Sequence, residues 1–400
     1  MQRNTGYFPT ESLEPCGNRL FSRSALNEGY LFRGSLGVFL PQIKPELGIN
    51  DTQASAIFVV NLLGFCVFTS IGGHLCDKIG SRKSFFLLLG TLLLFCLAML
   101  CAHTYARLIL LSFILYCALA ALTVTVNSFI PSLFTTSQAF FMSFFHLVNY
   151  GGIALSKTTA GLLIRHNVNW RFIYLIIAAI LIICLGLWHF SFFPAPVVPD
   201  TEKKPERTLP LKHIFSTAFF LYVAAVGGYL SSVTAMHNWF VNYAVISFHM
   251  NIAKASSVFS LFFIFSALGS VFLTRFIKRV GEFKIVFLLS FAAFFLFLLG
   301  LLWRQTGLYL IALCGFFLSV TYPTTLVNIH TSFHLRPCFM LGLIVTAGSA
   351  INLIFTFVLG IANDVFGAHA SFYLVPLGLL VFSVSSFFIY LRQNTSLSEN

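Results

Sequence analysis

Two cations of the chain stand inside long apolar runs, Arg33 and Lys157. A charge inside a membrane-crossing helix costs about 2.5–3.5 kcal/mol on insertion scales, so each is a candidate for function. The Arg33 guanidinium has the planar fork that holds a carboxylate or phosphate through two hydrogen bonds. Tyr30 precedes it by three residues. His146 and Lys157 are eleven residues apart, close to three helical turns, and with Asn149 they fall toward one side of a helix. Of the 12 carboxylates, only Glu28 falls within such a run. The interior therefore carries an excess of positive charge, which an organic anion or a zwitterion (a carboxylate, an organic phosphate or an amino acid) would neutralise. Proton coupling is assigned to Glu28 and His146, with His237 and His330 as further histidines able to titrate. The plainer alternatives are an Arg33 paired with Glu28 or a backbone carbonyl, and a Lys157 that snorkels outward.

A second set of residues is neutral. Asn127 lies near Thr123, and Asn238, Trp239 and Asn242 lie between His237 and Tyr243. Tyr322 precedes a proline, and Thr346, Ser349 and Asn352 recur at steps of three. Asn238 and Asn242, four apart, share a helix face. Amides and aromatic faces suit a sugar or other polyol. The same amides also serve helix–helix hydrogen bonds, worth about 0.6 kcal/mol each. Catalytic constellations are missing. There is no Gly-x-Ser-x-Gly, no His-Glu-x-x-His and no phosphate-cradling Gly-x-x-x-x-Gly-Lys run. The nine cysteines, mostly in apolar runs, include no pair at metal-ligand spacing. The sequence thus predicts no enzyme, no metal and no cofactor.

The elements that position these residues follow from composition. Only 9% of the 400 residues are charged, against roughly 25% in a typical soluble domain. Some 58% are hydrophobic, with 49 Phe. That balance excludes a soluble enzyme, a disordered chain and a coiled coil, and predicts an all-α, multi-pass membrane protein. Eleven apolar runs are long enough to span, near 53–75, 84–103, 107–130, 139–164, 171–194, 214–243, 252–275, 284–303, 307–330, 339–362 and 370–392. A twelfth, more polar, lies inside 22–43 and is counted as span 1. With twelve spans and both termini cytoplasmic, 16 of the 24 Lys and Arg fall on the inner side. Six fall outside (Lys44, Arg107, Arg165, Arg171, Lys254, Arg304) and two within spans, as the positive-inside rule requires. The +12 net charge is therefore a matter of topology, not of nucleic-acid binding. No cleavable signal peptide is evident before span 1.

The Pro-rich and charged stretch 195–212 divides the chain. The expected organisation is a tail (1–21), a six-helix bundle (22–194), a cytoplasmic linker (195–212), a second bundle (213–392) and a short tail (393–400). A weak repeat agrees, since Gly80 and Gly281 lie 201 residues apart in the loops after spans 2 and 8, as do Lys83 and Lys284. Parallel six-helix repeats of this kind build many secondary transporters, with a solute site between them near the bilayer midplane.

The loop after span 2 reads Gly73-His74-Leu75-Cys76-Asp77-Lys78-Ile79-Gly80-Ser81-Arg82-Lys83. In residue types, spacing and position it resembles the signature between helices 2 and 3 of the major facilitator superfamily. Trp170-Arg171 at the entry to span 6 resembles the family too. Tyr30-x-x-Arg33 ahead of Pro41 resembles helix 1 of its organic-anion and organic-phosphate members, where the Arg faces the central cavity. Trp239 to Arg275, with Tyr322-Pro323-Thr324, resembles the sugar–proton permease branch, but the intramembrane carboxylates of that branch are missing near Gly37 and Thr123. The resemblance implies two bundles rocking about a central site. It also implies that Gly73, Asp77, Gly80, Arg82 and Lys83 form a conformational lock. The function expected is alternating-access transport of a small polar metabolite, most readily an organic anion or zwitterion. A sugar–proton permease, a drug efflux carrier and a non-transporting sensor are the alternatives. The expected partners are the solute, a proton or other coupling ion, and the lipid of the cell membrane, the protein acting as a monomer.

Overall fold

In a computed structural model of the chain, residues 35–133, 138–189, 216–333 and 337–398 are described, and all regular structure among them is helical. The first six helices are α1 (Ser35–Leu47), α2 (Asp51–Ile79), α3 (Ser81–Ala98), α4 (Tyr105–Leu133), α5 (Gln138–Arg165) and α6 (Phe172–His189). The last six are α7 (Thr217–Phe248), α8 (Ile252–Val280), α9 (Glu282–Leu302), a broken α10, α11 (Pro337–Ser371) and α12 (Leu374–Ser398). The two pieces of α10 are α10a (Arg304–Leu318) and α10b (Thr321–Ser332). Nine of the described stretches are long and apolar enough to cross a bilayer. Leu94, Ile183, Phe295 and Ile354 stand exposed on the outside, where lipid rather than water is the solvent.

Span 1, its described part, runs on through Pro41 and Pro45 to Leu47, so Lys44 and Glu46 are helical rather than loop residues. Span 10 is interrupted at Ser319 and Val320. Span 11 continues beyond the expected residue 362, with a kink at Gly367 (φ 79°), and takes Asp364 into the helix. Apolar run length marks where lipid contact ends, and a helix can continue for several turns past that point. Glu28, Tyr30, Arg33 and the 195–212 linker lie outside the described residues. For Gly73, Asp77, Asn127, His146 and His330 the helix position alone is described.

The half-chain repeat is written into the backbone. Helices α2 and α8 are both 29 residues long and begin at 51 and 252. Each is followed by a glycine at positive φ, Gly80 (86°) and Gly281 (96°), and the next helix starts one residue later. With ψ of 150° and 138° both stand in an extended positive-φ conformation that is essentially reserved for glycine, so a side chain there would cost about 1–3 kcal/mol. Close helix approach near the family-like loop is seen at Gly72, where an added Cβ would lie 2.4 Å from the Ala121 backbone.

Within the halves α2 packs on α4, α3 on α4 and α6, and α7 on α11 and α12. Across the halves α2 meets α11 and α5 meets α8. Both crossings are antiparallel. Along the first, Asp51 faces Asp364, Ser55 faces Gly360 and Cys66 faces Ser349. Along the second, Gly161 faces Ser256, Lys157 faces Phe259 and Ala154 faces Ser260. Two halves meeting through equivalent pairs give the molecule its approximate twofold.

Candidate functional site

Four helices converge on one carbonyl. Lys157 of α5 is wholly buried (0% exposed), and its Nζ donates to the His237 carbonyl of α7 at 3.1 Å. The ammonium also stands 4.6 Å from the Phe259 ring centroid of α8, within cation–π range. Gly37 of α1 comes so near that an added Cβ would lie 2.7 Å from the same His237 oxygen. The His237 ring sits among Phe259, Phe262 and Phe263. No described carboxylate pairs with Lys157. An ammonium has three donors and the His237 oxygen takes one. Lys157 is thus held between the halves and does not snorkel to the outside.

Trp239 and Asn242, two and five residues further along α7, are buried, and neither the Trp239 Nε1 nor the Asn242 Nδ2 has a hydrogen-bond partner. The Trp239 ring meets Phe58 of α2 edge to face, centroids 5.9 Å apart. Asn238 and Asn149 are half-buried. Asn352 behaves differently, donating to Thr234 of α7 at 3.1 Å and accepting from Thr356 at 3.3 Å. Its amide fastens α11 to α7 within one half, the packing role open to any amide in a span. Tyr322 of α10b stacks on Tyr229 of α7, centroids 4.9 Å apart and rings 11° from parallel.

Asn61 of α2 is a site candidate that the sequence does not single out. It is 2% exposed, and neither its oxygen nor its nitrogen has a partner. The only signal in the sequence is an amide inside the run Val59-Val60-Asn61-Leu62-Leu63.

The end of the molecule that carries the α1–α2 connection is closed. The Asp364 carboxylate of α11 accepts from the backbone N–H groups of Asp51 (2.8 Å) and Thr52 (2.7 Å) and from the Thr52 hydroxyl. It caps a helix of the opposite half, where a negative charge is favoured by the helix dipole. Lys44 pairs with Asp51 beside it. Gly360 lets α11 lie on Ser55, since a Cβ there would come 2.0 Å from the Ser55 hydroxyl. On the other crossing the Thr158 and Ser260 hydroxyls lie 2.9 Å apart, and Ser260 donates to the Ala154 carbonyl at 3.1 Å. The cross-half hydrogen bonds from Asp364, Lys157, Thr158 and Ser260 fall in the half of the bundle nearer this end.

A clamp at the same end holds the first half together. Glu46 at the end of α1 accepts from the Trp170 indole (2.7 Å) and from Arg171 Nη1 (2.6 Å). Arg171 is buried, stacks on the Trp170 ring and donates twice to the Ala102 carbonyl ahead of α4. Trp170-Arg171 therefore joins α1, the α3–α4 connection and α6. Among the residues expected from the sequence to form a lock, Gly80 forms the tight turn, and Arg82 and Lys83 are exposed in the first turn of α3. Among the described residues no three His, Cys, Asp or Glu side chains converge as a metal site would require.

A cavity of about 490 Å³ lies elsewhere, at the opposite end of the second half, lined by Ser216, Tyr222, Ser332, Phe333, Arg392 and Gln393. Its polar groups bond to one another, Tyr222 to Ser332 and Gln393 to Ser332. It sits apart from the contact between the halves.

Two matched six-helix halves, with a buried cation where they touch, define a multi-pass membrane transporter fold. A family model described as Major Facilitator Superfamily matches residues 29–340, and the chain belongs to that superfamily. In solved structures the same fold is found in a D-xylose-proton symporter (TM-score 0.76, 10% identity, 95% of this chain and 98% of that one). It is found again in the nucleoside transporter NupG (TM-score 0.74, 12% identity, 94% of this chain and 100% of that one). At such identities the likeness is one of fold. A curated relative, the hexuronate transporter of Bacillus subtilis (strain 168), is 26% identical over 239 residues, 56% of this chain and 55% of that protein. The chain thus spans about half the length of the curated relative it matches.

Proposed function

We propose that this chain carries a small organic anion, of the sugar-acid kind, across the cell membrane by alternating access. The observation that carries the reading is Lys157, a fully buried cation at the contact between the halves with no described carboxylate beside it. Burying an unpaired charge costs several kcal/mol even after relaxation. An anionic solute would offset that cost by using the two N–H groups that the His237 carbonyl leaves over. The curated relative is a transporter of hexuronates, which are polyhydroxylated carboxylates, and this agrees.

On this reading Arg33 supplies the second cation, with Tyr30 beside it. Asn127, His146, Asn149, Asn238, Trp239, Asn242 and Tyr322 surround the solute, Asn352 supports α7 from behind, and Glu28 and His146 are the groups that would carry a coupled proton. With both termini cytoplasmic, the closed end faces outward, and Gly73, Asp77, Gly80, Arg82 and Lys83 lock the inner end in the opposite state. A neutral sugar is the competing cargo, favoured by the unpartnered Trp239 and Asn242 donors. A thermal-shift comparison of the purified chain separates the two. Glucuronate is expected to raise the melting temperature and glucose to leave it unchanged. A shift with glucose and none with glucuronate would replace the anion by a sugar.

A further inference from the structure

We infer that Asn61 of α2 belongs to the same site and reads hydroxyl groups on the solute, so that the cargo is a polyhydroxylated acid and not a bare carboxylate. This rests on the reading of the site as an anion carrier.

Asn61 lacks the partners that some other buried amides of the bundle have. An amide inside a helical bundle must find its partners in the protein or in what enters the bundle. A buried amide left unpaired costs about 1–3 kcal/mol for each group. Asn352 and Asn328 each find at least one partner, on Thr234 and on the Glu282 carbonyl. Asn61 finds none at either end of its carboxamide. An amide kept for packing would be joined as Asn352 is.

Asn61 lies ten residues into α2, Trp239 nine residues before the end of α7, and Lys157 eight before the end of α5. At 1.5 Å per residue all three are about 12–15 Å below the closed end, one shared depth in the membrane. Phe58, three residues before Asn61 on the same helix face, is the residue whose ring meets Trp239 across the halves. The Ser156 hydroxyl beside Lys157 is also buried and unpartnered. The layer thus holds one cation, one indole donor, one hydroxyl and one amide with both a donor and an acceptor to give.

Chemistry completes the assignment. A carboxamide offers two N–H donors and a carbonyl acceptor. Neighbouring hydroxyls match it, one accepting from the nitrogen while the next donates to the oxygen. A carboxylate has no donor, so it satisfies Lys157 and leaves the Asn61 oxygen unmet. An aliphatic acid has no other polar group, so that acceptor stays unpaired whatever the carboxylate does.

The test compares glucuronate, cyclohexanecarboxylate and glucose on the purified full chain and on Asn61→Leu and Asn61→Ala, by thermal shift and by binding titration. Without solute, the melting temperature of Asn61→Leu should equal or exceed the parent's, because an unsatisfied amide is removed. The parent should prefer glucuronate to cyclohexanecarboxylate, and both variants should lose about tenfold of that preference while still binding the unhydroxylated acid. An unchanged preference in the variants overturns the role of Asn61 and leaves the anion reading standing. A fall in solute-free stability in both variants makes Asn61 a packing residue and also overturns it. A parent that answers to glucose but to neither acid removes the anion reading itself.

Discussion

At Lys157 the two readings open to an intramembrane cation are separated by what its Nζ touches. A snorkelling lysine would extend its stem along lipid, whereas this one ends on a carbonyl of the opposite half. Replacing it with an apolar side chain of similar length should not harm the fold. Lys157→Met is expected to melt at or above the parent temperature, since exchanging a buried charge for a hydrophobe is neutral or stabilising. A lower melting temperature would mean that the ammonium is structural cement. Glu46 is the opposite case. It anchors a buried Arg171, so Glu46→Ala leaves that guanidinium without its counter-charge and should cost about 2–3 kcal/mol, read as a lowered denaturation midpoint. The sequence marks Arg171 and Trp170 but not their anchor, because Glu46 stands 125 and 124 residues away and only the fold brings them together.

At the scale of helices, the apolar runs predict which segments span, and the matching glycine turns predict the repeat. Gly80 and Gly281 are legible because a tight turn between two long helices needs positive φ, which the loop composition advertises. Other features are illegible for physical reasons. Asp364 lies outside the apolar run of span 11 yet inside its helix, so it reads as a loop acid while it caps α2. The break in α10 precedes Pro323, but Tyr322 and its neighbours still look like an uninterrupted span. The Asp364 cap predicts a shift in conformation. Asp364→Ala removes a side-chain cap worth about 1 kcal/mol, and so should raise the population open at the α1–α2 end about fivefold. A cysteine replacing Ser55 reports on this, and its thiol should label faster when Asp364 is removed than when it is present. Equal rates would show that Gly360 packing alone holds the end shut. Gly281→Ala, in turn, should lower stability by about 1–3 kcal/mol, measured by denaturant titration, because alanine is strained at φ 96° and ψ 138°.

For the whole molecule, the closed end, the equivalent helix crossings and the buried cation combine into one arrangement. Two halves are held by contacts near one membrane face, and a charge waits between them about 12 Å below that face. The twelve helices were readable from hydropathy, and their half-chain repeat from the matched glycine loops. The interior chemistry was readable only where it is charged, since a charge in lipid stands out and an amide such as Asn61 does not. A Lys157 that receives an anionic cargo must govern uptake of labelled glucuronate into proteoliposomes holding the parent chain or Lys157→Met at matched amounts. Accumulation is expected with the parent and a loss of more than about tenfold with the variant, the usual consequence of deleting one member of a desolvated charge pair. Equal uptake by the two proteins would show that the cargo does not bind at Lys157.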